Sequence, residues 1–312
     1  MKTPQRIFAV LLLLTIAQSA SAISIVFDYS YDTSGFFADP LRKNTLNQAG
    51  AYLGNRLQDQ LTAINSGAGN NFTEVFFDPS NPSSNKSLSN QSVAANDIYV
   101  YVGASNLGTS TLGIGGAGGT GACCTQAFAD NVAGRGQTGA LASTPTDFGP
   151  WGGSLGFNSS TNWYFDTDAS TLEAIPGFDF FTVAVHELGH LLGIGTAGSW
   201  DAKIITDINK NAFFTGQASQ AAHGGAPVPL DADKAHWLAG TTGLVSGSIQ
   251  EAAMGPSIAP SQRKYFTDLD FAALKDIGWQ VSPAPVPVPG ALVLLFSGLS
   301  LMVAWGKRSA SV

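Results

Sequence analysis

Residues 181–200 read FTVAVHELGHLLGIGTAGSW, and no other stretch restricts the fold as much. Phe181, Val183, Val185, Leu188 and Leu191 leave almost no polar face, so a helix here has to be buried. Asp179 stands where an N-cap belongs, and Gly193 is able to stop the helix. His186 and His190 are four residues apart, on one face and one turn from each other. Two imidazoles and the Glu187 carboxylate are costly inside an apolar helix without partners, and a metal ion supplies a partner. All four histidines of the chain lie between 186 and 236. The competing reading is a core helix that carries two histidines and no metal.

A catalytic zinc site takes three protein ligands and keeps one position open. Three residues past Gly193, where one group of zinc proteases places a third histidine, this chain has Thr196. The remaining candidates are His223, in QAAHGGAP, and His236, in DKAHWLAG, and the residues alone leave both open. Zn²⁺ would acidify a water, and Glu187, beside the ligand face, is placed to take its proton as it attacks a carbonyl.

Elsewhere, alternation predicts strands at 22–32, 73–78 and 97–105, and an edge strand or hairpin at 152–166 able to pair with an extended peptide. Leu46, Ala49, Leu53, Leu57 and Leu61 recur at helical spacing and predict a long helix over 41–65. The glycine-rich run 106–122 reads as a loop, and its GGAGGTG lacks the Lys-Ser/Thr of a phosphate loop. Residues 194–264 look irregular. A last helix in DLDFAALKDIGW should end at Gly278. No composition break splits 23–280.

Both ends read as processing segments. Residues 1–22 carry Lys2 and Arg6, an apolar run and Ala20-Ser21-Ala22, the pattern of a signal peptide for signal peptidase. Residues 281–289 form a Pro-rich linker, and 290–312 begin with an apolar stretch that as a helix spans roughly 24 Å, closed by Lys307 and Arg308. This tail resembles the C-terminal sorting signals of exosortases (PEP-CTERM-like), with VPVPG in place of the commoner Pro-Glu-Pro. It implies export to the cell surface, outer envelope or medium, with membrane contact only through the C-terminal segment. Charged residues are only 12% and glycines number 36, which suits a loop-rich exported protein. The four basic residues at the ends leave 11 basic against 22 acidic residues in the body, which argues against nucleic acid as a partner. Cys123 and Cys124, the two cysteines, are adjacent: a vicinal disulfide, free thiols or a bridge between chains are all compatible with that.

HELGHLLGIGT, then GGAPVPLDADKAHW, EAAMGP and FTDLDFAALKDIGW, together resemble the leishmanolysin-like branch of the metzincin zinc peptidases, over roughly 178–280. That branch delays its third ligand past an insertion, ahead of a methionine turn. The resemblance implies that His186, His190 and His236 bind Zn²⁺, that Glu187 is the general base, and that Met254 forms the turn beneath the metal. It implies an α+β fold in 23–280: an N-terminal subdomain (23–193) with a mixed twisted sheet, a long helix and the zinc helix, and an irregular C-terminal subdomain (194–280). The turn departs from the family's Glu-Leu-Met-Thr pattern, and the cysteine framework of the eukaryotic members is absent. Tyr265 reads as an oxyanion donor or as a packed tyrosine. The implied activity is an endopeptidase acting on protein or peptide substrates. The alternatives are a non-catalytic surface or matrix protein with a structural metal and a zinc hydrolase of another amide or ester.

Overall fold

The computed structural model describes residues 23–283 apart from 124 and 172. The signal peptide read in 1–22, the segment 290–312 and most of the linker lie outside the described residues. Among the described residues no helix is long and apolar enough to cross a membrane.

The first half of the chain builds a four-stranded and a three-stranded sheet. β1 (Ser24–Asp28), β4 (Asp97–Ser105), β7 (Gly152–Asn158) and β5 (Gly113–Ala117) lie side by side in that order. The first three are parallel and β5 runs antiparallel to β7, so this is the expected mixed sheet. β2 (Asn71–Asp78), between β3 (Asn81–Ser89) and β6 (Gly119–Cys123), makes a smaller antiparallel sheet.

Two sequence expectations fail here for one reason. Residues 152–158 are an interior strand, not an edge, and 106–122 supply β5 and β6 where a loop was expected. All seven residues of β7 are buried, as an interior strand covered on both faces should be. Gly153 lets β5 close on it: a Cβ there would stand 2.1 Å from the Gly116 carbonyl oxygen. Glycine runs carry no alternation of apolar and polar side chains, so the period-two signal was missing from β5, and without that partner 152–158 read as an edge.

α1 (Pro40–Gly54) starts on Asp39, whose carboxylate accepts from the Leu41 N–H, with Pro40 in the first turn. It stops well short of the expected residue 65. A Cβ at Gly54 would come within 2.4 Å of the Ile23 carbonyl oxygen, so the helix end is pressed against the entry to β1. Leu57 and Leu61 are buried all the same, from a non-helical segment. α2 (Gln126–Gly134) follows β6, and Cys123 at the end of that strand is disulfide-bonded, which removes the free-thiol reading.

α3 (Phe180–Leu191) is the helix expected around the histidines, and it packs on α1 with the Tyr52 and Phe181 rings 5.6 Å apart. Phe180 sits among Phe37, Phe157 and Phe165; burying one such ring contributes roughly 2–3 kcal/mol. Its N-terminus is fixed from both halves of the chain. The Asp179 carboxylate accepts from the Thr182 N–H and hydroxyl, and Arg263 forks onto both of its oxygens at 2.8 and 3.0 Å.

Beyond α3 the chain is made of short pieces, as expected, ending in α4 (Asp268–Asp276) behind a Thr267–Asp270 capping box. Gly278 follows at φ +123°, a conformation that favours glycine. Trp200, Phe214 and Trp237 fill this half, the first two stacked at 4.1 Å. One cluster of buried side chains runs from Leu46 through Phe181 to Trp237 and Leu274, so both halves share a core.

Candidate metal centre

α3 presents His186 and His190 from consecutive turns, and a returning loop brings His236 against them. The three Nε2 atoms stand 3.0, 3.1 and 3.2 Å apart. Three nitrogens bound tetrahedrally to zinc at 2.0–2.1 Å would stand about 3.3 Å apart, so the spacing fits. His223 is not in this group: it is half-buried at the end of a short helix (Gln217–Ala222), with the Ala226 carbonyl oxygen 3.4 Å from its Nδ1.

The other ring nitrogens decide what the three Nε2 atoms can do. His186 Nδ1 lies 2.8 Å from the Ala253 carbonyl oxygen, His190 Nδ1 2.8 Å from that of Ile194, and His236 Nδ1 2.6 Å from a carboxylate oxygen of Asp233. Each of those partners only accepts, so each Nδ1 carries the proton and donates. Every Nε2 then offers a lone pair to the same point. Three lone pairs converging at this range repel unless a cation stands among them, so the donor set fits zinc. Burial holds the His186 imidazole well below its ordinary pKa, and that of His190 at about 4, so both stay neutral and able to ligate.

Glu187 is nearly buried and faces the same cavity, of about 470 Å³, as the three imidazoles. Burial pushes its carboxyl up to about 8, against the pull of a Gly115 N–H donated to it. A cation beside it would draw that value down. β5 lies directly over this residue. A Cβ on Gly113 would stand 2.7 Å from Glu187 Oε1, and one on Gly115 2.3 Å from the Glu187 carbonyl oxygen, so only glycine lets the strand pass.

Below the site, Met254 packs into the space left by Gly189, between His186 and His190; a Cβ there would meet its sulfur at 2.5 Å. The Met254 turn is held by Asp270, whose carboxylate accepts from the Ala253 and Met254 N–H groups and from Trp237 Nε1. One buried carboxylate thus ties the turn that carries the Ala253 carbonyl to the residue after His236. Thr196, which stands where a third histidine was looked for, donates its hydroxyl to the His190 carbonyl at 2.6 Å and secures the helix end. The Tyr265 hydroxyl is taken up by the Ala169 carbonyl at 2.5 Å, which makes it a packed tyrosine.

Sequence reasoning did not find Asp233, Asp270, Gly113 or Gly115. A carboxylate three residues before a candidate ligand was a usable signal for Asp233. Glycines two apart, on one side of an extended strand, were one for the pair facing Glu187.

No curated protein and no solved structure matches this chain. The family model of the matrixins, a metzincin family of peptidases, matches residues 125–213, a span that includes His186, Glu187 and His190 and ends before His236. With the three imidazoles brought together, that match supports a metzincin-type zinc metallopeptidase.

Proposed function

We propose that this chain is an exported zinc-dependent endopeptidase of the leishmanolysin-like branch, with His186, His190 and His236 holding the metal. The observation that carries the reading is the convergence of three Nε2 lone pairs at a cavity that also holds a buried carboxylate, Glu187. A structural zinc site is usually closed by a fourth ligand, and among the described residues no fourth His, Cys, Asp or Glu joins this group. The branch assignment rests on the displacement of the third histidine from position 196 to His236, in a His-Trp context ahead of Met254.

When bound, zinc acidifies a water and polarises the carbonyl of the scissile bond. Glu187 accepts the proton of the attacking water and delivers it to the departing amine nitrogen. The Gly115 N–H steadies the carboxylate between the two transfers. β5, at the open edge of the sheet and along the cavity wall, is the strand on which an extended substrate would pair, in place of the 152–166 segment expected from sequence. Signal peptidase removes residues 1–22, and the 290–312 tail addresses the protein to exosortase-type machinery; the mature N-terminus would then be Ile23.

Zinc-loaded protein should cut an unfolded protein, and Glu187→Ala should end cleavage while one zinc per chain is retained. If wild type and variant are equally inert with zinc bound, the site is a structural one. Turnover of small esters or amides with no peptide cleavage would assign another hydrolase.

A further inference from the structure

We propose that Lys264 makes this cavity selective for a substrate side chain that ends in a hydrogen-bond acceptor, Gln or Glu, next to the scissile bond. This rests on the peptidase reading above and names the substrate class of the same site.

Lys264 is 1% exposed, yet it lines the cavity. Its backbone N–H donates to the Thr182 hydroxyl at 2.8 Å. Thr182 stands one helical turn before His186, so the lysine is anchored about 5–6 Å along the helix from the first imidazole. Its ammonium donates to the Ser257 carbonyl at 2.8 Å and pairs with a Glu251 carboxylate oxygen at 2.8 Å. An ammonium has three N–H donors, and among the described residues the third has no partner.

A buried donor left unpaired is costly. A substrate acceptor entering the cavity relieves that cost, whereas an aliphatic side chain of equal length seals the donor in. Apart from Glu187 and the three imidazoles, Lys264 is the one ionisable residue of the lining among the described residues. Phe178, Val183, Pro256 and Ile258 make part of the same lining apolar, and a bond made in such surroundings is stronger than one made in water. Glu251 balances the lysine's charge, so a neutral carboxamide serves as well as a carboxylate. Removing that balance should favour the carboxylate.

The test uses zinc-loaded protein and peptides that differ only by Gln, Glu or Met on either side of the cleaved bond, with kcat/KM as the readout. At one of the two positions Gln and Glu should be cut about five- to ten-fold faster than Met. Lys264→Met should erase that advantage, and Glu251→Gln should raise the Glu-to-Gln ratio. Equal rates for Met, or a preference that survives Lys264→Met, overturn the assignment. If Lys264→Met does not fold, Glu251→Gln decides, because a purely structural ion pair would leave the Glu-to-Gln ratio where it was. Failure to cut any peptide with zinc bound sinks the peptidase reading itself; cutting without preference sinks only the role of the lysine.

Discussion

The three imidazoles are held in two different ways. His186 and His190 stand on a buried helix, and their outer nitrogens donate to backbone carbonyls that belong to the core. His236 stands on a loop, and its outer nitrogen donates to Asp233, whose side chain is half exposed. The helix pair comes with the fold. The third position depends on a local turn and on the Asp270 carboxylate that ties Trp237 to the Met254 turn. Stability and metal binding should therefore be coupled at the first two ligands and separable at the third.

The largest effect expected is on zinc. His190→Ala and His236→Ala should both lose stoichiometric metal on dialysis, but only His190→Ala should also weaken the metal-free fold. It leaves the Ile194 carbonyl unpaired inside the protein, at a cost of about 1–3 kcal/mol, while His236→Ala should stay within roughly 0.5 kcal/mol. Zinc content and thermal unfolding of both apo variants measure this. Full zinc retention by His236→Ala would mean the third ligand is elsewhere. Next in size is Gly115→Ala, whose methyl would meet the Glu187 carbonyl oxygen at 2.3 Å. Helix or strand must shift, at about 1–3 kcal/mol and with most of the activity. Gly116→Ala, with nothing within 4 Å of its added Cβ, is the control and should behave as wild type. Equal behaviour of the two would show that β5 does not constrain Glu187.

The same contrast explains what could be read from the sequence. The helix that brings His186 and His190 together was legible because His186, Glu187 and His190 sit in one turn-and-a-bit of regular periodicity, between an N-cap and a glycine stop. His236 was not, since a ligand brought in by an irregular loop has no fixed spacing from its partners; residues alone left it level with His223, and family resemblance separated them. Strands with ordinary side chains, at 24–28, 71–78 and 97–105, announced themselves by alternation. β5 did not, because glycines that exist to let backbones touch erase the pattern that marks a strand, and with its partner hidden β7 was read as an edge strand and not an interior one. Helix α1 was overextended for the opposite reason: Leu57 and Leu61 kept the helical spacing while the chain around them had already turned to meet Ile23.

A smaller effect probes the loop ligand alone. Asp233→Ala removes the carboxylate that fixes the His236 tautomer, and loss of such a partner costs 10–100-fold in metal affinity. Competition with a chelator should show that loss, while urea unfolding of the metal-free form stays unchanged. A drop in stability equal to that of His190→Ala would erase the distinction between the two anchorages.

The smallest effect asks whether the frame around the helix ligands is insulated from charge elsewhere in the fold. Glu74, on β2 in the smaller sheet, is 2% exposed and accepts a hydrogen bond from the Tyr101 hydroxyl at 2.7 Å. Burial pushes its carboxyl from 4.5 up to about 7, with the Tyr101 hydroxyl opposing the shift. Between those two values the folded protein keeps a proton that the unfolded chain has released. Stability contributed by this group is therefore full below pH 4.5 and falls as pH rises towards 7. Glu74→Gln keeps an acceptor for Tyr101 and has nothing to titrate. It should exceed wild type by on the order of 2 kcal/mol at pH 8 and show no advantage at pH 4, in denaturant titrations at the two pH values. Zinc affinity at pH 8 should be the same in both proteins, since the helix ligands are anchored to core carbonyls and not to this sheet. If affinity rises with the added stability, the site reports on the whole fold, and the separate anchorage of its third ligand is not what limits metal binding.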